Sequence, residues 1–268
     1  MARGHRHYMP GQIWHLTHRC HKRQFLLKFA RDRQAWIGWL FEARKRFGLC
    51  VLDYMVTSNH IHLLVYDREG GDVIPKSIQL VAGRSGQQYN QRKQRRGAYW
   101  EDRYHATAVE SGEHLRRCLV YLDLNMVRAD VVTHPEQWSE CGYVEIQHPK
   151  ARWRIIDEEQ LMGLVGAKRR AVLQQLCRQK VDADLERGLL GRQSHWTESL
   201  AVGCPAYVEA LQRQLGIKAK GREMLPVEGG YQLRETETAY LGLLDGGKGS
   251  LSPENTFLWN QSLPAATA

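Results

Sequence analysis

No run of about 18 consecutive apolar residues occurs anywhere in the 268-residue chain, which speaks against a membrane-spanning helix. The opening residues, Met1-Ala2-Arg3-Gly4-His5-Arg6-His7, lack the apolar centre of a secretory signal, so the expected location is cytoplasmic. The six cysteines (Cys20, Cys50, Cys118, Cys141, Cys177, Cys204) include no CxxC pair and no small-domain framework. Most sit among apolar neighbours and read as buried thiols in a reducing compartment. No clear internal repeat is present, and the second part of the chain has almost no net charge.

What is present is a concentrated basic excess. The formal net charge is +9, with 23 Lys and Arg against 15 Asp and Glu in residues 1–150, and 15 against 14 in the remainder. A surplus confined to one unit, at a pI of about 9.3, predicts a polyanionic partner, most often nucleic acid.

Within that unit lies Ser58-Asn59-His60-Ile61-His62-Leu63-Leu64-Val65. Side chains alternate faces along a strand, so His60 and His62 emerge together while Ile61, Leu63 and Val65 point the other way. Alone, such a pair is as well explained by polar residues on a solvated edge strand. Its context decides. The nearby His15, His18, Cys20 and His21 fit no closed tetrahedral template, and alternation sends His15 and His18 to opposite faces, so a structural zinc is not expected there.

Taken in order, Ile13 to Thr17 reads as a strand and Asp32 to Phe47 as a helix capped by Asp32 and stopped by Gly48. Leu49–Val56 and Ile61–Tyr66 read as a hairpin across Thr57-Ser58-Asn59, Val73–Arg96 as a helix, and Tyr104–Val109 as a fourth strand. The helix ends in Arg92-Lys93-Gln94-Arg95-Arg96, followed by Tyr99, Trp100, Arg103 and Tyr104. Cations interleaved with aromatics suit phosphates and unstacked bases. The candidate DNA contacts are therefore Arg92, Lys93, Arg95, Arg96 and Arg103, with Arg3 and Arg6 in the arm.

Ser111 can cap the next helix. Leu115, Leu119, Leu122, Met126 and Ala129 form its apolar stripe, and His114, Arg117, Tyr121, Asn125 and Arg128 share a second face. The order β-α-β-β-α-β plus a helix is the ferredoxin-like split βαβ arrangement in an α+β fold. The tyrosine-bearing helix laid over the histidine face would bring Tyr121 and Asn125 to His60 and His62. Two imidazoles and an amide oxygen suit Mg²⁺ or Mn²⁺ acting on a phosphodiester, with Tyr121 as nucleophile and Arg117 and Arg128 supplying positive charge.

Three segments carry a family resemblance: Thr57-Ser58-Asn59-His60-Ile61-His62-Leu63-Leu64, Tyr99-Trp100-Glu101-Asp102-Arg103-Tyr104, and Tyr121-Leu122-Asp123-Leu124-Asn125-Met126-Val127-Arg128-Ala129. Over about residues 8–145 the chain resembles the single-tyrosine HUH transposases of the IS200-like type, and among them the REP-associated tyrosine transposases. The resemblance implies a single-stranded DNA endonuclease and strand transferase acting on hairpins through a 5′-phosphotyrosyl intermediate. It makes His60 and His62 the HUH pair, Tyr121 the nucleophile and Asn125 the third metal ligand. It also implies a nucleoid-associated setting and a monomer, dimers being known among insertion-sequence relatives. Ser58 and Met126 stand where members commonly have proline; neither position supplies a ligand.

The expected organisation is an HUH nuclease domain over 1–150, a small helical appendage over 151–217 and an irregular, partly mobile tail over 218–268. Two other functions fit the same residues. A catalytically silent hairpin-binding protein would use the basic surface alone, and a phosphodiesterase with activated water would form no covalent adduct.

Overall fold

The computed structural model describes residues 9–235; the arm with Arg3 and Arg6, and residues 236–268, lie outside the described residues. The first half is built from β1 (Gln12–Arg19), α1 (Ala30–Phe47), β2 (Cys50–Val56), β3 (His60–Asp67), α2 (Val73–Arg92) and β4 (His105–Val109). The strands lie in the order β2-β3-β1-β4, all antiparallel. This is the split βαβ arrangement.

Local chemistry explains the boundaries. Gly48 ends α1 in the left-handed region at φ 71°, with its N–H donating to Arg44 O, and three cations occupy the last turn, where the helix dipole favours them. The N-cap is Phe29, not Asp32. Asp32 lies inside the first turn, where it is buried and ion-paired with Arg92. In the β2–β3 connection, Thr57 Oγ1 accepts from Asn59 N (3.3 Å) and His60 N (3.1 Å), a hydroxyl-closed turn that fixes the hairpin register.

The next stretch holds α3 (Glu113–Asp123) and α4 (Asn125–Arg128). The expected continuous helix is broken at Leu124 (φ −79°, ψ 5°), immediately before Asn125. Ser111 is not the cap either. Gly112, at φ 72°, takes that position and donates its N–H to Leu164 O at 3.1 Å.

Beyond Ala129 come α5 (Gly142–Gln147), α6 (Glu158–Val165), α7 (Arg170–Glu186), α8 (His195–Glu198), β5 (Ala201–Gly203), α9 (Pro205–Leu215), β6 (Arg222–Val227) and β7 (Gly230–Glu235). Between α5 and α6, Ile156 makes a single parallel bridge to Val51. Residues 201–235 extend the sheet: β5 lies parallel to β4, β7 pairs with β5, and β6 closes the edge, giving β2-β3-β1-β4-β5-β7-β6. A hairpin over 222–235 thus stands where an irregular tail was expected. Its few aliphatic residues hid it, because its partner strand, only three residues long, leaves little apolar periodicity to read.

The core runs through both parts. Trp36, Leu40, Leu63, Val65, Leu115, Leu122, Trp196 and Leu233 are all buried in one cluster. Gly142 marks a close approach, since a Cβ there would lie 1.8 Å from Asp53 Oδ1. Among the described residues no helix is long and apolar enough to cross a membrane.

Candidate active site

The strand registers place the chemistry. Thr17 is opposite both His62 and His105, and His15 is opposite both Leu64 and Thr107. His60, His62, His15, Thr17, His105 and Thr107 therefore share one face of the sheet, with Ile61, Leu63 and Val65 on the other. The α3–α4 break delivers Asn125 to this face. Asn125 Nδ2 lies 3.0 Å from His62 Nε2, and the Tyr121 ring is 6.0 Å from that of His62. His60 and His62 have ring centroids 5.0 Å apart. The expected tyrosine, amide and histidine pair thus meet in space.

Each imidazole is held from behind. His60 Nδ1 lies 2.7 Å from Asn59 Oδ1 and 2.9 Å from Thr57 Oγ1. His62 Nδ1 lies 2.9 Å from His15 Nε2, and His15 Nδ1 lies 2.8 Å from Trp196 O. Burial, reinforced by Arg19 and Arg128, lowers His60 to about 4. His62 is held well below its ordinary value by burial first, then by His60, His15 and the two arginines. His15 is lowered to about 3, mainly by burial. All three rings are neutral at physiological pH, the form that ligates a cation.

Tyr121 is 7% exposed. Burial raises its pKa; Arg128, Arg192 and a Thr197 hydrogen bond pull the other way, while Cys118 adds to the rise. The Arg128 guanidinium lies 4.2 Å from the Tyr121 ring centroid. His60, His62, Tyr121, Asn125 and Arg128 line a cavity of about 890 Å³ together with Arg23, Arg103 and Arg192, with the carboxylates of Glu101, Asp102 and Glu198 also on its wall. Tyr121 and Arg128 also border a second cavity of about 280 Å³, on whose wall Arg117 sits. Arg117 donates to Glu228 O at 2.5 Å.

A divalent metal fits the donor set in kind. Among the described residues no three His, Cys, Asp or Glu side chains form a metal cage; the donor set to be weighed is His60, His62 and Asn125, whose side chains converge on this cavity. The Nδ1 atom of each imidazole is engaged behind it, leaving Nε2 as the donor. The Asn125 amide carries Oδ1, the oxygen that Mg²⁺ or Mn²⁺ prefers.

The basic residues divide. Arg92 pairs with buried Asp32, and Arg95 donates to Asn90 Oδ1 and Ala98 O, each at 3.0 Å, holding the turn after α2. Both guanidiniums are thereby occupied within the fold. Lys93, Arg96 and Arg103 are exposed. The aromatics also differ from expectation as base platforms. Tyr99 is 6% exposed with its hydroxyl towards Leu26 O. Trp100 stacks on His18 at 4.1 Å and donates its ring N–H to Ala82 O. Exposed rings beside these cations are instead Phe25 and Phe29 (65% and 56%), with Lys28 and Lys93 within 6.0 Å and 5.7 Å of the Phe29 centroid.

Sequence reasoning missed His15, Arg23, Arg192, Trp196 and Thr197. The register of β1 against β3 could have placed His15 beside His62; for residues 192–197, with no periodicity and no linking motif, no signal existed.

Residues 10–123, which carry the split βαβ sheet, match the family model for IS200-like transposases. The match covers less than half of the chain and supports its classification with the IS200-like transposases. The match ends at residue 123, so Asn125, Arg128 and the 189–199 segment lie outside it. Among solved structures, a REP-associated tyrosine transposase bound to a REP hairpin is similar at 16% identity and a TM-score of 0.46, covering 59% of this chain and 94% of that one. A candidate transposase from Deinococcus radiodurans R1 is similar at 18% identity and a TM-score of 0.31, covering 49% of this chain and 98% of that one. No curated protein matches significantly.

Proposed function

We propose that the chain is a metal-dependent endonuclease and strand transferase for single-stranded, hairpin-containing DNA, with Tyr121 as nucleophile. The observation that carries this reading is the 3.0 Å approach of Asn125 to His62 beside Tyr121. It joins the helix motif to the strand motif in a cavity whose wall carries five arginines and three carboxylates. The hairpin substrate rests on the motif resemblance to REP-associated enzymes.

Tyr121 Oη attacks phosphorus and gives up its proton. The bond from phosphorus to the 3′ oxygen breaks, and that oxygen leaves as a hydroxyl after taking up a proton. The 5′ phosphate stays on the tyrosine, and the reverse attack by a 3′ hydroxyl rejoins or transfers the strand. Arg128, against the ring, favours the phenolate as it forms. Arg23 and Arg103 hold the phosphate backbone in the cavity beside Arg192, which is paired with Glu198, and Lys93 and Arg96 extend its path. A divalent cation held by His60, His62 and Asn125 would polarise a phosphodiester oxygen. His60, His62, Tyr121 and Asn125 meet within one chain, so cleavage needs no second copy and should vary linearly with enzyme concentration.

The test is a hairpin oligonucleotide labelled on its 3′ side, incubated with Mn²⁺ or Mg²⁺ and run on a denaturing gel. A labelled protein band is expected, lost in Tyr121→Phe and in EDTA. Cleavage without a protein-linked band, or a band that persists in Tyr121→Phe, overturns the tyrosine mechanism.

A further inference from the structure

The Trp196 carbonyl oxygen can only accept a hydrogen bond. At 2.8 Å from it, His15 Nδ1 must therefore carry the proton. A neutral imidazole protonated at Nδ1 has its lone pair on Nε2, so at 2.9 Å His62 Nδ1 must be the donor to His15. That leaves the His62 lone pair on Nε2, the atom facing Asn125. The chain has one consistent direction from the backbone of residue 196 to the cavity.

We infer that His15 and the Trp196 carbonyl set the tautomer and ring angle of His62, making His15 a positioning residue and the 195–199 segment part of the active site. The inference rests on the reading of His62 as a metal ligand.

The segment that carries this carbonyl is anchored three residues further on. His105 Nε2 (2.9 Å) and Thr107 Oγ1 (2.7 Å) both donate to Ser199 O, clamping the far end of α8 to the same sheet face. Trp196 is fully buried, and its ring centroid lies 6.4 Å from that of Tyr121. One short helix from outside the transposase match thus touches the tyrosine with its side chain and the histidine relay with its backbone. Partners behind a ligating histidine commonly govern metal affinity by about 10–100-fold.

Two readouts test this on the full chain. In the metal-free protein, long-range ¹H–¹⁵N spectra of the imidazoles should show His62 protonated at Nδ1, and His15→Phe should shift it toward a mixture. Mn²⁺ affinity, followed by electron paramagnetic resonance without DNA, should fall about 10–100-fold in His15→Phe. His15→Gln, whose amide can donate to Trp196 O and accept from His62, should recover most of it. If wild-type His62 is protonated at Nε2, or if His15→Phe leaves both its tautomer and Mn²⁺ affinity unchanged while the protein remains folded, the inference is overturned. The expected wild-type tautomer without any Mn²⁺ binding would instead overturn the metal reading and leave the relay standing.

Discussion

The N-terminal unit and the 189–235 segment contribute to the same cavity in different ways. The first supplies groups whose chemistry is in their side chains: His60, His62, Tyr121, Asn125 and Arg128. The second contributes mainly support, through the Trp196 and Ser199 carbonyls, a buried indole and three further strands. Residues that react can be recognised by type and spacing. Residues that hold them can be almost any type, since every residue has a carbonyl.

The sharpest way to break this comparison is Trp196→Ala. If the segment is integral, emptying this buried site should cost roughly 3–5 kcal/mol in urea unfolding and remove covalent adduct formation. A separately folded appendage would lose its own transition and leave cleavage untouched.

A second contrast lies among the cations. Arg92→Ala strands the buried Asp32 carboxylate and should cost roughly 3 kcal/mol of stability, read as a lower unfolding midpoint. Its effect on the salt dependence of DNA binding should be slight.

The third concerns pH. Behind the site, burial pushes Asp123 up to about 8, and Asp53 is also raised, by burial and then by Asp123. In the unfolded chain both ionise near their ordinary value of 3.8. The stability linked to their retained protons is complete below that value and is lost as pH rises through about 8. Unfolding measured from pH 5 to 9 should show this decline, with Asp123 contributing at most about 1.4 kcal/mol per unit. Asp123→Asn should flatten it; an equally steep decline in that variant would assign it elsewhere.

The smallest expected effect is that of Arg96→Ala, which should lower the salt slope of hairpin binding by about one unit with unchanged stability. An unchanged slope would remove Arg96 from the DNA path and erase the contrast with Arg92.

The sequence by itself determined the split βαβ order and the shared face of His60 and His62, and it singled out Tyr121 and Asn125 as a pair on one helical segment, although a helix break sets how that pair reaches the site. These follow from periods of 2 and 3.6 residues, which act locally and leave a pattern in the chain. It also located the basic excess, although the division into Arg92 and Arg95 inside and Lys93 and Arg96 outside needed the fold, because burial of Asp32 decides where Arg92 points. The helix break at Leu124 left no glycine or proline to mark it. Only the tertiary structure joined Trp196 to His15 across 181 positions and paired β5 with β4, and through it β7 and β6 with the sheet. Such contacts depend on which surfaces meet in the folded chain, and carbonyl acceptors and short strand pairings carry no residue-type signature.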